Sequence, residues 1–324
     1  MPDVSYANRG RIYPATHASI ALAAKVIKSG GLVAFPTETV YGLGANALDE
    51  AAVSRIFEAK GRPQDNPLIL HISNIREAAC YGKLNPSAEI LMQHFWPGPL
   101  TIVLYSLDNV PLVTRANMDT VALRVPMNFV ALDLIREAGL PIAAPSANRS
   151  GRPSPTTAET VWNDLGTAVD MIIDGGDTSI GVESTVIDAT EGTVSILRPG
   201  GVTREMLEQI VDVEPDAPRH ANRSPGTRHR HYAPTVAVKL WQTQGRELFT
   251  DSPAAWCYLG LRRPPEGAMK QIIFDSPEGY AHGLFGAMRE LERCGADVII
   301  ADFPDDSGIG EAIRNRLKMA AGGA

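Results

Sequence analysis

The first part of the chain alternates apolar stripes of helical spacing with short apolar runs. Thr16 is a typical helix cap, and apolar residues follow it at intervals of three and four until Gly30 ends the pattern. The run LVAFPT comes next and predicts a short strand. The same reasoning predicts helices over 49–59 and 86–95, and strands over 68–72, 100–106 and 121–125.

The alternation continues to about residue 212. A helix over 129–138 ends at Gly139, which suits the left-handed cap of a helix. The remaining predictions are a strand over 141–145, a helix over 157–165, strands near 171–174, 184–188 and 193–198, and a helix over 203–210. The later strands follow one another closely enough to pair antiparallel. We therefore predict an α/β fold with a twisted, mixed sheet of parallel and antiparallel strands.

A change of composition divides the chain after this unit. Residues 213–235 contain four Pro, a cluster of Arg and His, and few large aliphatic residues, as in a linker. Beyond them VAVKLW, AWCYLGL, KQIIFD and DVIIAD read as buried strands, with helices over 280–293 and 309–321. This pattern predicts three parts: a first domain over 1–212, a linker over 213–235 and a smaller Rossmann-like α/β domain over 236–324.

Composition and charge limit the classes of function. The length of 324 residues and the 44% hydrophobic content suit two globular domains. The net charge of −7 argues against a protein that mainly grips nucleic-acid backbone. Three scattered cysteines form neither a disulfide framework nor a zinc motif, and the N-terminus has no secretory pattern. With no apolar run as long as a membrane span, we expect a cytoplasmic protein without membrane contact.

The first candidate chemistry is a pair of cations just after a helix. Lys60 and Arg62 lie two residues apart, and Pro63 and Pro67 stiffen the segment that follows. Two fixed cations suit a polyphosphate. A solvated helix end, where cations complement the helix dipole, is the simpler alternative. His71 lies within the apolar strand LILHI, and a core histidine is the simpler interpretation of it.

Further polar residues lie within or beside buried strands. Strand alternation places Thr120 and Arg124 on one face, and a buried arginine needs an anionic partner, either an internal carboxylate or a substrate. Ser146 and Asn148 end a strand before a Gly/Pro/Ser loop that carries Ser154, which suits phosphate or ribose oxygens or a self-satisfied turn. Two more strand edges carry Ser184, Thr185 and Arg198.

The linker has its own candidate residues. His229 and His231 lie two apart, as a metal pair could, but no nearby carboxylate or cysteine completes a ligand set. A basic flap over the first domain is therefore the preferred interpretation. No P-loop, G-x-G-x-x-G, G-x-S-x-G or kinase signature is present, so a nucleotide site must be built in another way.

Six of these segments resemble one family. FPTETVYGLGA, KGRPQDNPLILHI, PSANRSG, STVID, LRPGG and the linker HYAP, in this order, are similar to the L-threonylcarbamoyladenylate synthase or YrdC-like family. The linker and the last part of the chain resemble its two-domain form. The run PGTRHRHYAP departs from the family pattern, in which a Gly-Met-Lys-type run precedes the HYAP, at Thr227 and Arg228.

The resemblance implies an activity, its substrates and its site. L-threonine, bicarbonate or carbon dioxide, and ATP with Mg²⁺ would give threonylcarbamoyl-AMP and pyrophosphate, and a downstream tRNA threonylcarbamoyl transferase complex would use the product next to the anticodon. Lys60 and Arg62 are the implied catalytic residues. By matching motif the implied ATP residues are Lys60, Arg62, Asn66, Thr120, Ser146, Asn148, Ser154, Arg198 and Tyr232, and the implied threonine residues are Thr39, His71, Arg124, Ala144 and Ser184.

Two other functions fit parts of the sequence. A carbamoyl-adenylate-forming domain like that of hydrogenase maturation proteins shares much of the predicted sheet, but the Cys pairs of their zinc modules are missing here. A non-catalytic RNA-binding module would use the basic cavity to grip an RNA end. The acidic net charge disfavours it, although a weak RNA contact stays compatible with the sequence.

Overall fold

The computed structural model describes residues 10–191, 193–214, 231–241 and 255–322. They form two α/β units, each built around its own sheet. The strands of the first unit are β1 (Ile12–Pro14), β2 (Val33–Phe35), β3 (Gly42–Asn46), β4 (Ile69–His71), β5 (Leu100–Tyr105), β6 (Thr120–Arg124), β7 (Ile142–Ala143), β8 (Met171–Asp174), β9 (Thr185–Asp188) and β10 (Ser195–Arg198).

The helices of the first unit begin at side-chain caps. Thr16 accepts a hydrogen bond from the Ser19 amide, and Asp49 accepts from two amides of the next helix. Each cap satisfies amide groups that have no partner within the helix. The helices are α1 (His17–Lys28), α2 (Glu50–Lys60), α3 (Pro86–Phe95), α4 (Phe129–Ala138), α5 (Ala158–Leu165) and α6 (Arg204–Glu208).

The first sheet is mixed. Its strand order is β1-β8-β2-β3-β7-β4-β6-β5-β9-β10. Parallel pairs such as β4 with β6 stand beside antiparallel pairs such as β5 with β6 and β9 with β10. The predicted fold class is therefore confirmed. Two short strands, β1 and β3, were not predicted, because IYP and the glycine-rich GLGAN lack a strand-like apolar pattern.

The two faces of this sheet are covered differently. One face carries the largest apolar cluster, in which Leu70 and Leu123 pack with side chains of α2, α3 and α5. On the other face α1 and α4 cover one part of the sheet. A small cluster there contains strand residues alone: Ile69, Val103, Ala122, Val186 and Leu197. Among the described residues of the first unit, no helix contributes to this cluster, and the site lies beside it.

The second unit has a parallel sheet in the order β11-β14-β12-β13. Its strands are β11 (Ala237–Trp241), β12 (Trp256–Gly260), β13 (Gln271–Ile273) and β14 (Val298–Asp302), with helices α7 (Pro277–Glu292) and α8 (Ile309–Ala320). The prediction of a helix over 280–293 was wrong at its start: Ser276 caps the helix and Pro277 occupies its first turn. The Rossmann-like character is confirmed, whereas the predicted domain limits stay predictions.

The two units are held together by close packing and ion pairs. Gly181 lies so near α7 that a Cβ on it would come within 2.4 Å of the His282 Cα atom. Arg289 forms an ion pair with Asp164 at 2.6 Å, and Arg152 forms one with Glu292 at 2.7 Å. The second unit therefore contacts the first at Gly181, at Arg152 and at Asp164 of α5. Most of the predicted linker, 215–230, lies outside the described residues, and so does His229.

Candidate functional site

A pocket lies on the open face of the first sheet, between that sheet and the described end of the linker. Its empty space is about 640 Å³, including its solvent-filled mouth. Ten of the sequence-predicted residues line it: Thr39, Arg62, His71, Arg124, Ala144, Ser146, Asn148, Ser184, Arg198 and Tyr232. The structure therefore brings together residues that lie as far apart in sequence as Thr39 and Tyr232.

Four predicted residues do not line the pocket in this structure. Lys60, Asn66, Thr120 and Ser154 are buried beside or behind its wall. Thr120 begins β6, the strand that Arg124 ends, and the two lie on the same face as Ala122. Ser154 donates its hydroxyl hydrogen to Glu183, which does line the pocket. Each of the four therefore contacts a lining residue or shares a strand with one.

Lys60 organises a loop in the pocket wall. Its Nζ donates to the main-chain carbonyls of Ser146 and Asn148. Burial, and next the charge of Arg62, lowers the pKa of Lys60 well below its ordinary value. The solvated helix end that the sequence left open is thus excluded, because this side chain is only 4% exposed. Lys60 therefore holds the backbone of the loop from which Ser146 and Asn148 line the pocket.

Arg62 is a cation of the pocket wall itself. The left-handed Gly61 ends α2 and turns the chain, and Arg62 then donates to the carbonyls of Asn66 and Pro67 at 3.3 and 3.0 Å. Burial lowers the pKa of Arg62 to about 10, so the side chain stays protonated at neutral pH. A guanidinium fixed by its own loop is preorganised for an anion.

Arg124 ends β6 beneath the loop that carries Thr37 and Thr39. Its Nη2 lies 2.7 Å from Glu38 Oε1 and donates to the Thr39 hydroxyl at 3.1 Å, and its Nε donates to the Gly98 carbonyl at 3.3 Å. An internal carboxylate is thus the partner of this buried arginine in the structure. Because Arg124 also lines the pocket, a substrate carboxylate could meet the same guanidinium.

His71 is held neutral. Burial, and next the Arg124 charge, lowers its pKa to about 3. Its Nδ1 is buried and makes no hydrogen bond with a described residue. A neutral imidazole at the pocket wall offers one donor and one acceptor, which suits a hydroxyl group. His71 therefore combines the core packing that the sequence suggested with a polar surface on the pocket.

Ser184 and Arg198 line another part of the pocket wall. Arg198 donates to the Ser184 carbonyl at 2.9 Å and to its hydroxyl at 3.2 Å, and that hydroxyl also meets Thr101 at 2.8 Å. The LRPGG segment has glycine at position 200 because a Cβ there would come within 2.3 Å of the backbone of 183–185. Glycine is required for this close approach of two chain segments.

Tyr232, in the described end of the linker, lines the pocket. It is 5% exposed and stacks on Phe285 of α7 with ring centroids 5.4 Å apart. Its φ of 63° is unusual for a residue with a side chain. The next residue, Ala233, donates its amide hydrogen to the Gly151 carbonyl at 2.8 Å. The end of the linker therefore contacts both units at the pocket.

The structure adds three charged residues that the sequence did not single out. Glu38 pairs with Arg124, and Glu183 accepts hydrogen bonds from Ser154 and from Arg316 of α8. Burial acts to raise the pKa of Glu183, but Arg316, Arg198 and these hydrogen bonds lower it below its ordinary value. The available signal was an acidic residue inside each of the apolar segments PTETVYG and GVESTVID.

The pocket offers anion-binding groups rather than a metal centre. Within the described ranges no group of three or more His, Cys, Asp or Glu side chains could hold a metal ion. Glu183, the carboxylate among the described lining residues, already pairs with Arg316. In the same ranges no helix has the length and apolarity to cross a membrane. Three buried arginines, Arg62, Arg124 and Arg198, dominate the charge of the lining.

This fold and pocket define an α/β protein of two units with an anion-binding pocket, and comparison with known proteins identifies the family. Residues 25–200 match the family described as "Telomere recombination", and residues 202–322 match "Threonylcarbamoyl-AMP synthase, C-terminal domain". The threonylcarbamoyl-AMP synthase of Pyrococcus abyssi is 45% identical over 94% of each chain, and that of Bacillus subtilis is 43% identical over 94% of this chain and 93% of its own.

A solved structure agrees with these sequence relatives. The Pyrococcus abyssi Sua5 structure complexed with L-threonine is 44% identical and superposes with a TM-score of 0.88, covering 96% of this chain and 97% of that chain. The chain belongs to the threonylcarbamoyl-AMP synthase family. The resemblance inferred from six motifs is therefore confirmed, and so is the class of enzyme.

Proposed function

We propose that the chain joins L-threonine, bicarbonate or carbon dioxide, and ATP to give threonylcarbamoyl-AMP and pyrophosphate. The observation that carries the proposal is the set of three buried arginines, Arg62, Arg124 and Arg198, around one pocket with small hydroxyl and amide groups between them. This arrangement suits a triphosphate and an amino-acid carboxylate bound side by side.

The threonine end of the pocket is assigned to the Thr39, His71, Arg124, Ala144 and Ser184 group. Arg124 would pair with the carboxylate or the carbamate of the amino acid, and neutral His71 would meet its hydroxyl. The backbone near Ala144 is within reach because Gly42, directly opposite, has no side chain: a Cβ on it would lie 3.3 Å from the Ala144 Cβ. Support comes from the L-threonine complex of the Pyrococcus abyssi structure.

The nucleotide end is assigned to Arg62, Ser146, Asn148, Arg198 and Tyr232. Arg62 would stabilise the charge that develops at the attacked α-phosphate. Lys60 would act by fixing the loop that carries Ser146 and Asn148. The remaining assigned residues, Asn66, Thr120 and Ser154, would form the buried surround of the nucleotide.

The chemistry needs positioning more than a covalent nucleophile. The threonine amine forms an N–C bond to carbon dioxide and loses a proton, giving a carbamate. A carbamate oxygen then attacks the α-phosphorus of ATP, and pyrophosphate leaves with the electrons of the broken P–O bond. Holding the reactants in line and neutralising charge supply most of the catalysis. Exclusion of water by Tyr232 would protect the labile carbamate.

Mg²⁺ would enter as part of the ATP substrate. The lining residues do not fit a resident metal ion, because Glu183 is already paired with Arg316.

We further propose a cytoplasmic location, with a downstream tRNA threonylcarbamoyl transferase complex as the acceptor of the product. A weak direct RNA contact is compatible with the basic pocket. We expect this contact to be weak, because the net charge of −7 repels the RNA phosphates.

Pyrophosphate release tests the proposed function. Purified protein with MgATP should release pyrophosphate only when L-threonine and bicarbonate are both present. Arg62→Ala should lower this release by about 100-fold or more, as expected for loss of a preorganised charge in a water-poor site. Arg76→Ala removes an exposed arginine outside this pocket and serves as the matched control. Equal release without threonine would refute the proposal.

A further inference from the structure

The last helix places a fully buried arginine against the first unit. Arg316, on α8, is 0% exposed. Its Nε donates to Glu183 Oε2 at 2.7 Å, and its Nη1 donates to the Pro199 carbonyl at 3.0 Å. Burying a guanidinium is costly unless it is well paired. Both partners belong to segments of the nucleotide pocket, GVESTVID and LRPGG.

Glu183 connects this arginine to the pocket. One carboxylate oxygen accepts from Arg316, and the other accepts from the Ser154 hydroxyl. Glu183 also lies near enough to Arg198 for the two charges to interact. Without Arg316, the nearby positive charge left for the buried Glu183 carboxylate would be that of Arg198. The carboxylate would repel a polyphosphate and compete with it for Arg198.

Arg316 also contacts the residue that closes the pocket. Its guanidinium carbon lies 5.2 Å from the centre of the Tyr232 ring, within the range of a cation–π contact. Phe285 of α7, in the same unit, also stacks on the Tyr232 ring. Because the left-handed backbone of Tyr232 is intrinsically unfavourable, its position depends on such contacts.

We propose that Arg316 is a positioning residue through which the C-terminal unit completes the ATP site. It neutralises Glu183, keeps Ser154 and Arg198 in place and supports Tyr232 at the nucleotide end. The inference rests on the proposed use of this pocket for ATP. It gives the C-terminal unit a defined role in catalysis, since removal of one side chain from α8 should weaken ATP binding at the first sheet.

The test separates ATP affinity from threonine affinity. Arg316→Gln should raise KM for ATP, and the Kd of a non-hydrolysable ATP analogue, by about 10-fold or more, because Glu183 would then repel the phosphates and compete with them for Arg198. KM for threonine should change less than about twofold, well below a tenfold effect. The double variant Arg316→Gln/Glu183→Gln should recover most of the ATP affinity, since no unpaired charge remains.

Arg289→Gln is the matched control. Arg289 also crosses between the units and is 7% exposed, but its partners, Asp164 and the Pro153 carbonyl, are not lining residues. It should lower stability without a selective change in KM for ATP. Equal loss of ATP and threonine affinity in Arg316→Gln, or the same ATP defect in Arg289→Gln, would overturn the proposal.

Binding of the ATP analogue distinguishes a failure of the Arg316 proposal from a failure of the proposed function. If wild-type protein binds the ATP analogue but releases no threonine-dependent pyrophosphate, the proposed function fails and the analogue Kd still decides on Arg316. If Arg316→Gln does not fold, Arg316→Met takes its place, because its long neutral side chain fills part of the same space and still leaves Glu183 without the guanidinium. An unchanged analogue Kd in a folded Arg316→Met would then overturn the proposal.

Discussion

Arg124 and Glu38 form a buried ion pair at the base of the pocket, with Nη2 and Oε1 2.7 Å apart and both side chains at most 4% exposed. The arginine therefore has an internal counter-charge within the fold. The carboxylate is held by the threonine-rich loop, whose Thr39 hydroxyl accepts from the same guanidinium. Stability and the proposed binding of threonine would thus be linked at one side chain.

Removing one member of this pair should destabilise the protein strongly. Arg124→Met leaves Glu38 buried and unpaired, and we expect a loss of about 3–5 kcal/mol in the free energy of unfolding. Arg124→Met/Glu38→Gln leaves no lone charge and should lose much less. Urea denaturation of both variants measures the difference. Equal losses would show that the ion pair is not what holds this region.

The buried His71 should make stability depend on pH. Its pKa falls from 6.5 in the unfolded chain to about 3 in the fold. Between these values the unfolded state binds more protons than the native state, so the free energy of unfolding decreases as pH falls below about 6.5. The contribution of one site approaches about 1.4 kcal/mol per pH unit.

A pair of histidine variants isolates this effect. Urea midpoints measured between pH 7 and pH 4.5 should fall less steeply for His71→Gln than for the wild type. His94→Gln, which changes an exposed histidine of α3, should retain the wild-type slope. Parallel slopes for all three proteins would contradict the assignment of a neutral, buried His71.

The contact at Gly181 should tolerate no side chain. Its φ is 85°, and a Cβ would lie 2.4 Å from both the Cα atom and the carbonyl oxygen of His282. We expect Gly181→Ala to lower stability by about 1–3 kcal/mol, the usual range for overpacking, and to loosen the two units. Thermal unfolding and limited proteolysis measure these two effects.

Gly286 offers the matched substitution. It lies in α7 like His282, but a Cβ on it would meet nothing within 4 Å. Gly286→Ala should leave stability unchanged or raise it by up to about 1 kcal/mol, because alanine favours a helix. A similar loss in both alanine variants would mean that close packing at Gly181 does not join the units.

The ring of Tyr232 should matter more than its hydroxyl. Tyr232→Phe keeps the stacking on Phe285, so KM for ATP should stay within about twofold, well below the 1.4 kcal/mol of a tenfold change. Tyr232→Ala removes the ring and should raise KM for ATP by about 10-fold, in line with the energy of a buried aromatic contact. Steady-state pyrophosphate release at varied ATP provides the measurement. A large defect in Tyr232→Phe would point instead to a hydrogen bond from the hydroxyl.

Most elements of the fold could be predicted because their signals are local. The Thr16 and Asp49 caps and the Gly139 stop each depend on neighbours within one or two turns. β1 and β3 could not be predicted from the local pattern. Ile12 pairs with Ile172 in β8, and Ala45 pairs with Ala143 in β7, so these strands are defined by distant partners.

The sequence by itself determined the family, through six ordered motifs, and the residue types of an anion-binding pocket with Arg62, Arg124 and Arg198. Only the tertiary structure decided which groups meet these charges. Arg316 and Glu183 are 133 residues apart and in contact. The cost of burying a charge implies that a partner exists, but it carries no information on which residue provides it. That choice depends on how the two sheets face each other.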